Sequence, residues 1–182
     1  MRRLVTFVIL ITLMWVFNQV DPTEKAKKLN NSGVTLLEAG KVQEALDLFN
    51  KAIEQDEKIG LIWNHRGLAL SALKKHADAC VSFERAESIA RDNLEFKTNR
   101  AYTLINMEKF EEAEKLCESV LSKNSDDANA LYIKGACRMK SIDFPEALKV
   151  FRKLMKVPTT NFKGDLEGVK KSIAMLEGAA ID

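Results

Sequence analysis

His76 and Cys80 stand one helical turn apart, a spacing that would set an imidazole and a thiolate on one face as two ligands of a metal ion. No further ligand joins them, because His65 falls in the preceding helical stretch and Cys117 and Cys137 in later ones. The pair therefore predicts packed side chains rather than a metal centre. No nucleophile stands beside a base, no glycine-rich loop could cradle a phosphate, and the acids are scattered along helix faces. No catalytic residue, metal ligand or cofactor is expected, so the chain reads as non-enzymatic. The residues that do offer chemistry are amides. Asn30 and Asn64 share one register of a 34-residue period, and Asn31 and Asn99 share another. A carboxamide donates and accepts at once, the complement of an extended main chain.

The elements that must position these amides follow from the same period. Gly33, Gly67, Ala101 and Gly135 recur every 34 residues, as do Ala45, Ala79, Ala113 and Ala147. A fixed period of this length marks a solenoid of stacked helical units, an architecture that usually serves as a binding surface. In the first unit Leu29, Gly33, Leu36 and Leu37 recur at helical spacing, and Ala39-Gly40-Lys41 stops that helix. A second helix carries Val42, Ala45, Leu46, Phe49, Ala52 and Ile53 on one face. The small residues let the two helices of a pair approach, and Phe49, Phe83 and Phe151 fill the gap toward the next pair.

Trp63 four residues before Gly67, the alanine register, and phenylalanines four residues after the alanines complete the pattern. From residue 24 to about 158 it resembles the tetratricopeptide repeat (TPR) family. Lys97, Cys117 and Arg138 depart from the family pattern. The resemblance implies an all-α, right-handed superhelical solenoid of antiparallel helix pairs. Its four units would lie at about 24–57, 58–91, 92–125 and 126–158, within a domain of residues 22–158. Phe162, Leu166, Val169, Ile173 and Leu176 form one apolar stripe, predicting a C-terminal capping helix within 159–182, with a dimerisation helix as the alternative.

In the family the first helices of the pairs line a groove. That implies a peptide site at Asn30, Asn31, Asn64, His65, Thr98, Asn99, Tyr102, Asn106, Asn129 and Tyr132. In some members an asparagine ladder holds a peptide backbone, so a protein or peptide partner is expected. Replacing Asn31, Asn64 and Asn99 by alanine should then weaken the partner with little change in melting temperature. Members that clamp the acidic tails of chaperones use lysine, arginine and asparagine in the first three units. Here the matching places hold Asn30, Val34, His65, Glu95 and Asn99, and Glu95 would repel a terminal carboxylate. A chaperone tail is therefore disfavoured. Arg66, Arg100 and Lys134 form a further 34-spaced series, read as basic stems packed between helices with their charged heads at carboxylates, with a ligand-binding basic row as the alternative.

Lys and Arg number 28 against 26 Asp and Glu, a balance that argues against a nucleic-acid partner. Cys117 and Cys137 should lie on neighbouring helices, which leaves a disulfide open.

Met1-Arg2-Arg3 precedes an uncharged run from Leu4 to Val20 without a polar stripe. Its seventeen residues are at the lower limit for a membrane span, and no small-x-small cleavage site follows. A signal anchor in residues 1–21 is expected, tethering the chain to a membrane through residues 4–20. A cleaved signal peptide and a buried N-terminal hydrophobic helix stay open. The repeats would then lie on the non-cytoplasmic side, with a secreted or a cytoplasm-facing protein as alternatives. The functional expectation is a membrane-tethered, non-catalytic adaptor that binds a peptide in its groove. The alternative is a structural subunit joining a membrane complex through its convex face or cap helix.

Overall fold

Asp21 and Pro22 open the first helix as helix starts should: the Asp21 carboxylate accepts from the Thr23 N–H at 2.9 Å, and proline takes the first turn. The computed structural model describes residues 21–160 and 162–178, and its described residues form helices joined by short turns, with no strand. The chain divides into two compact units, Met1–Lys58 and Ile59–Asp182. The first holds α1 (Pro22–Glu38) and α2 (Val42–Gln55). The second holds α3 (Gly60–Ala72), α4 (His76–Ile89), α5 (Leu94–Asn106), α6 (Phe110–Lys123), α7 (Ala128–Lys140), α8 (Phe144–Leu154) and α9 (Leu166–Gly178).

Within each helix pair one small residue meets one large one. A Cβ placed on Gly33 would lie 2.6 Å from the Phe49 ring, and one on Gly67 would lie 2.6 Å from that of Phe83. On Gly135 a Cβ would overlap Phe151. The third pair solves the same problem differently. Ala101 supplies the methyl that glycine lacks, and Cys117, sixteen residues on, replaces the ring. Both are fully buried, in a cluster with Leu104, Ala113 and Val120. The four register alanines are completely inaccessible, which explains their period.

The turns inside the pairs repeat as closely. Gly40, Lys74, Glu108 and Ile142 lie 34 residues apart and all have positive φ, from 59° to 76°. In each turn the following N–H reaches back to the third-last helical carbonyl, as in Lys41 to Leu36 and Asp143 to Arg138, both at 2.9 Å. This geometry favours glycine, which only the first turn has. Ile142 is β-branched, 72% exposed and held at φ 61°, a strained combination with no burial to offset it. Ile142→Gly is expected to stabilise the fold by about 1 kcal/mol and raise the melting temperature by roughly 2–4 °C in a thermal melt.

The expected membrane placement is overturned. Among the described residues no helix is long and apolar enough to cross a membrane. The longest, α1, has 17 residues and carries Glu24, Lys25, Lys27 and Lys28 on exposed positions. Every described helix keeps exposed polar positions beside its packed face. The run from Leu4 to Val20, with the anchor, signal-peptide and hydrophobic-helix readings placed on it, lies outside the described residues.

α9 packs on α8, with Val169 buried among Val150, Phe151 and Leu154. It begins later than the apolar stripe suggested. Asp165 caps it, accepting from the Gly168 N–H at 2.9 Å, so Phe162 stands outside the helix in the segment leading to it.

Candidate functional site

In the first unit Asn30 is buried and donates from Nδ2 to Asn31 Oδ1 at 3.4 Å, while Asn31 itself is exposed. The remaining expected site residues belong to the second unit. There the faces of α3, α5 and α7 converge on an open cavity of about 360 Å³. Thr98, Asn99, Tyr102 and Asn106 come to it from α5, and Asn129 and Tyr132 from α7. Their spacing by three and four residues along each helix sets them on one face. Tyr102 and Asn106 are exposed, Asn129 and Tyr132 half-buried, and Thr98 and Asn99 buried at the floor.

Asn64 and His65 do not line this cavity. Asn64 lies beneath it, only 2% exposed, and its Oδ1 accepts from Asn99 Nδ2 at 2.9 Å. The amide ladder read from the sequence is thus, at this rung, a side-chain pair bonded to itself. Burial keeps His65 below the usual histidine range; Glu95 opposes the shift and Lys163 adds to it. A half-buried base of this kind stays neutral in the fold while the unfolded chain takes up the proton first. Stability is therefore lost as pH falls below about 6.5. His65→Gln is expected to shrink the drop in melting temperature between about pH 7.5 and about pH 5.5.

Sequence reasoning missed the segment that borders the groove from outside the repeats. The Lys163 N–H donates to Asn129 Oδ1 at 2.9 Å. Its ammonium reaches Glu95 Oε1 at 2.8 Å and Asn99 Oδ1 at 3.3 Å. Phe162 meets the Tyr132 ring edge-on, with centroids 5.5 Å apart. Gly164 passes so close that a Cβ there would touch Tyr132 at 3.0 Å. Burial raises the Tyr132 phenol above its ordinary value; nearby Tyr102 adds to this, and the Asp165 backbone opposes it. The Gly164-Asp165 pair before a helical run could have marked where α9 starts, but nothing local marks where the preceding residues dock.

The other chemical candidates resolve into packing. Cys117 and Cys137 are free, buried thiols of one core cluster. Burial pushes both upward, Cys137 to about 11, which leaves them protonated and unreactive. No group of three or more residues able to hold a metal occurs among the described residues. Cys80 instead approaches the Met107 sulfur at 4.0 Å. Of the basic series, Arg100 pairs with Glu84 and Glu87, and Lys134 with Glu118. Arg66 bonds Ser82 and lies over the Trp63 ring. These are cations held at the edges of helix pairs.

A model of the family described as Tetratricopeptide repeat matches residues 31–93 and 98–156. The chain belongs to the tetratricopeptide repeat family. Among curated proteins, the STIP1 homolog of Dictyostelium discoideum is 29% identical to this TPR chain over 101 residues. The match covers 56% of the chain but only 18% of that relative's length. A solved structure, the first TPR of Spaghetti (RPAP3) bound to HSP90 peptide SRMEEVD, is 25% identical. It covers 66% of this chain and 95% of that one, with a TM-score of 0.64. MamA from Desulfovibrio magneticus RS-1, residues 41 to the end, is 16% identical and shares the fold with a TM-score of 0.68. That match covers 86% of this chain and 95% of MamA. The TPR domain bound to an HSP90 peptide stands in tension with the expectation that a chaperone tail is disfavoured here.

Proposed function

We propose that this chain is a non-catalytic protein-interaction module whose second unit takes an extended peptide segment along α3, α5 and α7. The observation that carries this reading is the cavity itself. Thr98 and Asn99 form its floor, Asn106 and Asn129 bring carboxamides to its sides, and Tyr102 and Tyr132 supply rigid aromatic walls. That combination suits a main chain with one or two anchoring side chains. Family membership supports the class of activity, since a TPR relative is known with a peptide bound.

Peptides selected on the full chain from a random extended library test the reading. Tyr102→Ala with Asn106→Ala removes two exposed walls of the cavity. The pair is expected to weaken every selected peptide by about tenfold or more, as loss of a central aromatic contact does. The melting temperature should stay within a degree or so of the parent, as for exposed substitutions generally. Peptides that keep full affinity for the double variant would sink the proposal.

A further inference from the structure

The segment Phe162–Gly164 makes the contacts that a bound peptide would make. Its main-chain N–H is taken by a groove asparagine, its aromatic ring lies against a groove tyrosine, and its cation is met by a groove carboxylate. Lys163 borders two hollows at once. One is the 360 Å³ cavity; the other, about 570 Å³, is lined by Glu95, Thr98, Asp127, Asn129 and Phe162. The segment therefore stands as a partition in what would otherwise be one continuous trough. Among the described residues Lys163 is also the sole cation lining either hollow. With it lifted away, Glu95 and Asp127 remain with no basic residue among the described lining side chains.

From this juxtaposition we propose that the groove is built for a segment carrying an aromatic residue followed by a basic one. The chain's own Phe162-Lys163-Gly164 holds that place until a partner displaces it. The proposal deepens the peptide-groove reading and rests on it. Glu95 selects the basic side chain, Asn129 fixes the main chain beside it, and Tyr132 receives the aromatic ring. An acidic tail would meet two carboxylates in the same place, so charge rather than shape turns it away. The tether is short, so the internal segment competes at an effective concentration on the order of millimolar. A free peptide of similar sequence has to overcome that competition.

The test uses the full chain, unaltered and as Phe162→Ala/Lys163→Ala, with three blocked peptides. These are residues 162–167 of this sequence, the same peptide with Lys163→Glu, and the acidic peptide SRMEEVD. Binding is read by NMR titration. The double variant is expected to bind the 162–167 peptide about tenfold or more tightly than the unaltered chain, and to reject the Lys163→Glu peptide and SRMEEVD. Phe162 also packs on the core around Phe151, so Lys163→Ala alone serves as a control that leaves that contact intact. It should bind the 162–167 peptide about two- to fivefold more tightly, the scale of one exposed ion pair. Equal binding by altered and unaltered chains would overturn the proposal, and so would a preference of the variant for either acidic peptide. Acidic preference leaves the peptide-groove reading standing. If all three peptides fail on a variant of unchanged helicity, the proposal falls, and failure of the library selection as well would bring down the groove reading with it.

Discussion

Phe83→Ala is expected to cost about 3–5 kcal/mol, and adding Gly67→Ala to it should restore part of that loss. The reason lies in the packing of α3 on α4. Phe83 is completely buried, and its ring occupies the space where a Gly67 side chain would stand, with three ring carbons within 2.8 Å of that point. Removing the ring leaves a cavity beside a residue with no side chain to fill it. With the ring present, a methyl on Gly67 over-packs the pair by about 1–3 kcal/mol, against roughly 1 kcal/mol gained in helix propensity. With the ring gone, the same methyl enters empty space and the propensity gain remains. Gly67→Ala should thus change sign between the two backgrounds, with a coupling of about 1–3 kcal/mol in a double-mutant cycle followed by denaturant unfolding. The third pair already shows the compensated solution, with Ala101 facing the place that Cys117 takes from a phenylalanine. Strictly additive costs would contradict this account of the 34-residue period.

The second large effect concerns Asn99. Its amide nitrogen bonds Asn64 Oδ1 at 2.9 Å, its own oxygen accepts from Lys163, and both asparagines are at most 7% exposed. Asn99→Ala strips a buried amide of its partner, which costs about 1–3 kcal/mol. The melting temperature should therefore fall by several degrees, at roughly 2–4 °C per kcal/mol for a chain of this size. Asn106→Ala, exposed in the same cavity, should leave it unchanged. This revises the expectation that alanine at Asn31, Asn64 and Asn99 would spare stability. Two of those three side chains are part of the packing beneath the groove. An affinity lost with them would report on folding as much as on recognition. Tyr102 and Asn106, exposed in the cavity, are the better probes of binding.

These two sites mark what the sequence made legible. The helix pairs could be read because close helix packing admits only small residues at one register, and that constraint recurs in every copy. The turn at Gly40 could also be read, since glycine signals positive φ. Those at Lys74, Glu108 and Ile142 could not, because the helices on either side impose the conformation on residues that do not favour it. The family resemblance sets Thr98, Asn99, Tyr102, Asn106, Asn129 and Tyr132 on the groove side of the first helices, and these six meet at one cavity. Asn64 shares the groove register of Asn30, yet it is buried and accepts from Asn99, 35 residues away, a partner that the register does not announce. The docking of Lys163 on Glu95 joins residues 68 apart by two flexible side chains, a contact with no periodicity to announce it.

The most direct test of the account is to map amide perturbations in the full chain saturated with a selected peptide. The expected result is perturbation confined to Leu68–Ala72, Thr98–Asn106 and Asn129–Ile133, with Phe162–Gly164 shifting as the internal segment is displaced. Perturbation confined to the second helices of the pairs, around Glu84–Ser88 and Glu114–Glu118, would contradict it.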